Sequence, residues 1–327
     1  MKQQDFVSAN ENLWQQLEAL LEKTGGRKKE LKETADLPEA YRKVCHHLAL
    51  AKHRRYSLGI IDRLNRIVVG CHNIVYARNA RFRYQWLRFF IHDFPQALQL
   101  NYRFMRVANL LFYGPAIAVG LLCFYNPEFV YSILPNEQVR MMEGMYDPEA
   151  RVLGRERESD TDLYMFGFYI RNNIGIAFRE FAGGVFFGLG TLFFVVFNGV
   201  FLGAVFGHLT QVGYVSTLYP FVIGHGAFEL TAIVIAGAAG LKLGVALIDP
   251  GNLSRVAALR EAGRQSIPII LGATFMLVIA AVLEAFWSSK ASLPIPVKIT
   301  VGIIFWTLVL WYTNCVGRRY RPMPEKK

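Results

Sequence analysis

GHGAFELTAIVIAGAAGLKLG, residues 224–244, is long and apolar enough to cross a bilayer, yet it carries His225 and Glu229. About twenty helical residues span roughly 30 Å of hydrocarbon. Residues four apart share a helix face, so the imidazole and the carboxyl can meet, and Gly224 and Gly226 thin the same helix for a neighbour's approach. An ionisable group at mid-membrane costs about 2.5–3.5 kcal/mol on insertion scales and faces polar partners rather than acyl chains. Glu229 is therefore expected to point into a bundle of other helices.

Composition points the same way. The chain has 327 residues, 53% of them hydrophobic, with a mean hydropathy of +0.25. Its N-terminal third is polar, so the apolar residues gather later, in runs of membrane-crossing length. The expected fold class is all-α: a polytopic helical membrane protein with an N-terminal cytoplasmic helical bundle. MKQQDFVSANENLWQQ lacks the basic start, apolar core and small-residue cleavage site of a signal peptide, which keeps the head in the cytoplasm. Cys45, Cys71, Cys123 and Cys315 show no CxxC spacing, and no disulfide framework is indicated. CHH at 45–47 with Cys71 and His72 would be a zinc set only if helix neighbours about 100° apart shared one ion, so no metal is expected there.

The head reads as three helices. Ser8 with Glu11 forms a capping box for the first, which carries Leu13, Leu17, Leu20 and Leu21 on one stripe. After the basic linker GGRKKELKETAD, a second starts near Leu37 and a third runs from about Leu58 through Tyr76. Between Pro38 and Arg106 stand 13 Lys or Arg against 3 acidic residues. That excess places the head in the cytoplasm and suits Phe82 to Met105 to an interfacial helix on anionic lipid. No nucleic-acid motif accompanies these charges, and no nucleic-acid partner is expected.

The expected spans are Val107–Tyr125, Leu163–Ala182, Gly183–His208, Ser216–Ile248, Ser266–Trp287 and Val297–Val316. Leu163–Ala182 is interrupted by Arg171, Asn172, Asn173, Arg179 and Glu180, but parity requires it. The loop DPGNLSRVAALREAGRQ and the tail GRRYRPMPEKK are basic and belong with the head, whereas the loop after Asn136 has 8 acidic and 4 basic residues. Six crossings satisfy this arrangement and five do not. The expected domains are thus a head with its juxtamembrane segment over 1–106, a bundle of about six spans over 107–317, and a cytoplasmic tail over 318–327. Gly184 and Gly188, then Gly199, Gly203 and Gly207, then Gly240 and Gly244 repeat every fourth residue, which marks close helix packing or a subunit interface; Gly226 joins them as a packing residue.

FNGVFLGAVFGH at 197–208, the HGAFELTAIVIAGAAGLKLG run and the head segments FVSANENLWQQLEALLEK, LPEAYRKVCHHLALAKHRR and LNRIVVGCHNIVYAR together resemble the stage II sporulation protein M family. Its His-Gly-x-x-Glu helix matches at His225, Gly226 and Glu229, its asparagine-glycine element at Asn198 and Gly199, and its paired asparagines at Asn172 and Asn173. The resemblance implies a multi-pass protein of the bacterial inner membrane with both termini cytoplasmic. It also implies a non-enzymatic scaffold for envelope, peptidoglycan-remodelling or MoxR-linked membrane complexes. Expected partners are membrane lipid, other envelope or regulatory membrane proteins and a second copy of the chain.

Three readings of the opening pair follow. Glu229 can reach Arg171, Asn172, Asn173 or Asn198 in a structural polar clasp; the pair can line a cavity for a small molecule, proton or lipid, as in a channel or transporter; or it can supply two ligands to an intramembrane metal-dependent hydrolase. No HExxH pattern and no third ligand are evident, so neither a catalytic residue nor a cofactor is expected. Glu284, close to Trp287 and Lys290, is expected to snorkel to the interface. Arg171 is expected to pair with Glu229 or a bound anion.

Overall fold

The computed structural model describes residues 2–24, 37–149, 159–290 and 292–320. The basic linker, the middle of the polar loop and most of the tail lie outside these residues. The described chain is helical throughout, without a strand, and divides into two compact units, 1–88 and 89–327.

The first unit holds α1 (Gln3–Thr24), α2 (Leu37–His53) and α3 (Leu58–Arg88). Phe6, Trp14, Leu17, Val44, Leu48, Leu64, Ile67 and Cys71 meet in its core. The first helix starts five residues earlier than Ser8, because Asp5 accepts from the Lys2 amide at its N-terminus; Ser8 Oγ instead donates to the Asp5 carbonyl. Glu11 is drawn elsewhere. Arg63 on α3 donates to both its carboxylate oxygens and to both of Glu18, at 2.7–2.9 Å, and its guanidinium stacks over Trp14 at 5.6 Å. His47 and His72 are likewise engaged, by the Trp14 indole N–H and the Tyr41 hydroxyl.

Arg63's hydrogen bonds hold the Glu11 and Glu18 carboxyls below their usual range. Groups lowered in the folded state stabilise it above the unfolded pKa, about 4.3 for Glu, and lose that contribution as pH falls through the folded value. Arg63→Met is therefore expected to weaken the head by about 1–2 kcal/mol at neutral pH, a discounted figure because the ion pairs are about one-third exposed. Hydrogen exchange of α1 amides in the intact protein measures it; the variant should also lose the wild type's weakening below pH 4.

The second unit begins with a π-helical turn (Phe89–Asp93) and α4 (Phe94–Leu100), then α5 (Tyr102–Tyr125), α6 (Asn136–Tyr146), α7 (Ser159–Ala182), α8 (Leu189–Gln211), α9 (Val215–Ile248), α10 (Arg255–Leu283), extended by a π-helical turn (Glu284–Ser288), and α11 (Ile295–Cys315). Phe82–Met105 is thus not one interfacial helix. Pro95 opens α4, Asn101 ends it, and Phe94 is buried where Gly272 leaves room for its ring. The compact boundary falls at Arg88, not at residue 106, since residues 89–106 pack into the bundle.

Among the described residues five helices are long and apolar enough to cross a membrane: Tyr102–Tyr125, Leu189–Gln211, Val215–Ile248, Arg255–Ser288 and Ile295–Cys315. The sixth expected span, α7, fails on composition, not on length; its 24 residues cover about 36 Å. It packs along α8, α9 and α10. The stretch quoted first forms most of α9, which touches α5, α7, α8, α10 and α11. Its alanines and glycines let backbones close in. A Cβ at Gly240 would strike the Glu180 carbonyl, and one at Gly244 the backbone of Gly188.

Gly199, Gly203 and Gly207 face the carbonyls of Phe112, Ala116 and Gly120 on α5. Gly184 and Gly188 lie not on a span but in the turn joining α7 to α8, where Gly188 adopts a φ of +81° that disfavours other residues. Gly226 meets only side chains of its own helix. Gly224 instead seats the Trp287 ring, which brings the π-helical end of α10 against α9.

Candidate functional site

His225, four residues before Glu229 on α9, is buried; its Nε2 stands 3.9 Å from Glu229 Oε2, beyond hydrogen-bond reach. Its Nδ1 lies 3.0 Å from Ser288 Oγ, and the Ser288 carbonyl accepts from Lys298 Nζ at 2.8 Å. Lys298 on α11 is itself buried. The wider π-helical turn sets residues four apart on one face, so Glu284 arrives with Ser288. One ligand atom each from His225, Glu229 and Glu284 lies within 4.8 Å of the others. Among the described residues no hydrogen-bond donor reaches either carboxylate.

Glu284 thus belongs to the site and does not snorkel. The sequence offered one signal: an acid followed four residues later by Ser, one turn from a helix end. Tyr146, the last residue of α6, covers this group; its phenol is pushed up by burial and then by Glu284, Tyr169 and Glu229. A cleft of about 190 Å³ adjoins, lined by Tyr146, Thr217, Phe221, Ser288 and Lys298 among others.

The other expected partners of Glu229 lie elsewhere. Asn198 donates to Glu180 Oε1 and to the Phe194 carbonyl. Asn172 donates to Asn173 Oδ1; Asn173 is buried with Nδ2 unpartnered. Arg171 is exposed on the bundle surface and makes no ion pair with any described residue. The clasp between Glu229 and these four residues is therefore not formed.

A second polar centre, absent from the sequence reading, is Glu180 on α7. It is fully buried, with Oε1 on Asn198 and Oε2 unpartnered, while Thr191 donates to its backbone carbonyl at 2.6 Å. Near the other end of α8, His208 meets Glu143 of α6 at 2.8 Å. A cavity of about 490 Å³ opens between α5, α9 and α11, with Arg106, Asn109, Trp306 and Arg318 in its wall.

The model of the stage II sporulation protein M family matches residues 109–289, more than half of the chain. The chain belongs to the stage II sporulation protein M family. The matched region runs from α5 through the π-helical turn and so contains His225, Glu229, Glu284 and Ser288, as well as Glu180 and Asn198; Lys298 lies beyond it. Residues 4–77 match a domain of unknown function (DUF8413), which covers the core of the first unit. An uncharacterized protein of Methanocaldococcus jannaschii is 30% identical over 81 residues, 24% of this chain and 46% of that protein. The chain thus matches a little under half the length of that relative. No solved structure matches.

Proposed function

We propose that this family member is a non-enzymatic membrane scaffold, with both termini in the cytoplasm of a bacterial cell, that gathers envelope or MoxR-linked regulatory proteins through α7. The carrying observation is the outward face of that helix. Arg171 stands at its midpoint, exposed with Asn172 where hydrocarbon would lie, and Gly167 and Gly175 flank it at four-residue spacing. A Cβ at Gly167 would meet nothing within 4 Å. A guanidinium about 18 Å from either helix end is too deep to reach headgroups easily, and in lipid it carries the penalty of an intramembrane charge. Small residues around a polar one are the pattern of a helix interface. The complementary partner is a transmembrane helix bearing an acidic side chain.

The bundle suits this role. Its helices touch through backbone at the glycine seams, and in this reading α7 is a sixth pass, which brings both termini to one side. Membrane lipid is a second partner in this reading, with an anionic headgroup at Arg106 and Arg318 beside the larger cavity.

Arg171→Leu separates assembly from folding. The variant, more at ease in lipid, is expected to melt no lower than wild type in detergent and to lose its partner, read as crosslinking from a photoreactive residue placed at Phe168. A crosslinked species that persists at wild-type yield in Arg171→Leu removes the basis of this reading.

A further inference from the structure

We infer that His225 Nε2 and the carboxylates of Glu229 and Glu284 form a binding site for one divalent transition-metal cation, Zn²⁺ or Mn²⁺ in class. The inference stands apart from the partner reading, since its ligands and their support come from α9, from α10 with its π-helical turn, and from α11, and none of them is a residue of α7.

Three observations carry it. Two carboxylates converge inside a membrane bundle with no donor within reach of either among the described residues. One divalent cation lets both ionise together, which the mutual repulsion of two like charges in a medium of low dielectric otherwise opposes. The third ligand is an imidazole more than nine-tenths buried, with Nε2 unbonded and turned toward Glu229. Finally, the support behind the imidazole is the kind metal-binding histidines have: Nδ1 is held by Ser288 Oγ, and Ser288 is fixed in turn by Lys298 through its carbonyl. With Nδ1–H donating to the serine, Nε2 keeps its lone pair for the metal.

One nitrogen and two carboxylate oxygens suit zinc, manganese or ferrous iron, and exclude the soft-metal preference that thiolates would impose. Metal–ligand bonds of about 2.0–2.2 Å require the ligand atoms to draw closer than 4.8 Å, which side-chain rotation about Glu229 and Glu284 supplies. Three protein ligands leave coordination positions open, and the adjoining cleft under Tyr146 and Phe221 gives an exchangeable ligand access.

The full-length protein, tag removed, is purified in mild detergent with EDTA and titrated with Zn²⁺, Mn²⁺ or Co²⁺ alone. The expected result is one metal per chain by elemental analysis and calorimetry, with a raised melting temperature. The Co²⁺ form should show d–d absorption without a thiolate charge-transfer band, which separates this site from Cys45 and Cys71 in the head. Glu229→Gln and Glu284→Gln should each weaken binding at least 100-fold, and Ser288→Ala by 10–100-fold. Both Gln variants should melt no lower than wild type in EDTA, because an amide replaces a carboxyl of the same shape without adding a charge, and neither should gain from added metal. Absence of stoichiometric binding by the wild type overturns the site, as does a thiolate band in the Co²⁺ spectrum or binding unchanged in both Gln variants. The wild-type spectrum and stoichiometry decide the matter even where a variant fails to fold.

Discussion

Gly203→Leu should abolish the folded membrane unit. A Cβ there strikes the Ala116 carbonyl and its neighbouring backbone atoms on α5, and Gly199 and Gly207 make the same kind of approach one turn to either side. Because the obstacle is backbone, no side chain can rotate away. Relief requires α5 and α8 to separate along their length, which undoes all three approaches together and loses the dispersion contacts that hold helices in lipid. Overpacking a core typically costs 1–3 kcal/mol; for backbone against backbone about 3 kcal/mol or more is expected. A thermal melt followed by size exclusion in detergent should show aggregation or loss of the monodisperse peak. Gly263→Ala is the matched control: nothing lies within 4 Å of that position on α10, and the change should raise stability by up to about 1 kcal/mol through helix propensity. Equal melting of the two variants would show that the α5–α8 seam does not hold the bundle together.

This seam was readable in the chain because a four-residue glycine repeat is a local pattern with one geometric meaning on a helix. At Gly184 and Gly188 the same pattern pointed to close contacts, with Gly240 and Gly244, but not to the turn that makes them. Periodicity is blind to backbone conformation, and the positive φ of Gly188 turns the chain where the repeat suggests a continuous face. The apolar runs located five long helices for a similar reason, since hydropathy sums over a window whatever the packing.

What escaped was decided by long-range approach. Glu284 lies 55 residues beyond Glu229 in the chain and reaches it only because a π-helical turn rotates the end of α10 and Gly224 admits Trp287 beside it. Beyond the spacing of Glu284 and Ser288, neither event has a signature in α10 itself. Arg171 was expected to face Glu229 but lies on the outward face of α7. Three consecutive polar residues at 171, 172 and 173 leave the inward direction undetermined until α8, α9 and α10 are present to define it. Asn173 turned inward and Arg171 outward, so one polar triplet serves both the core and the surface.

Glu180 provides the second large effect, through a graded series at one buried position. Its side chain sits in a packed seam: Val195 takes the space a Cβ at Gly237 would need, and Glu180 Oε2 and Ala108 lie at ordinary contact distance from it. Glu180→Lys puts an ammonium there opposite the Asn198 amide, whose Oδ1 can accept one hydrogen bond, but among the described residues no carboxylate pairs with the charge. Leaving one charge uncompensated in such an interior costs about 3–5 kcal/mol, enough to prevent recovery of folded protein. Glu180→Gln is expected to stay within about 1 kcal/mol of wild type. Its carbonyl oxygen still accepts from Asn198, and its amide nitrogen replaces an oxygen that was unpartnered already. Glu180→Leu removes that unpartnered atom altogether and leaves Asn198 its bond to Phe194, so stability equal to or above wild type is expected. Melting temperatures of the purified variants give the order Leu, Gln, then Lys. If Leu instead melts far below Gln, the Asn198 bond is worth more than the desolvation of the acid, and α7 is held to α8 by that hydrogen bond rather than by the Gly183–Gly190 contact. If Leu folds well yet the crosslinked assembly at α7 disappears, the buried acid sets the rotation of α7 that presents Arg171 outward.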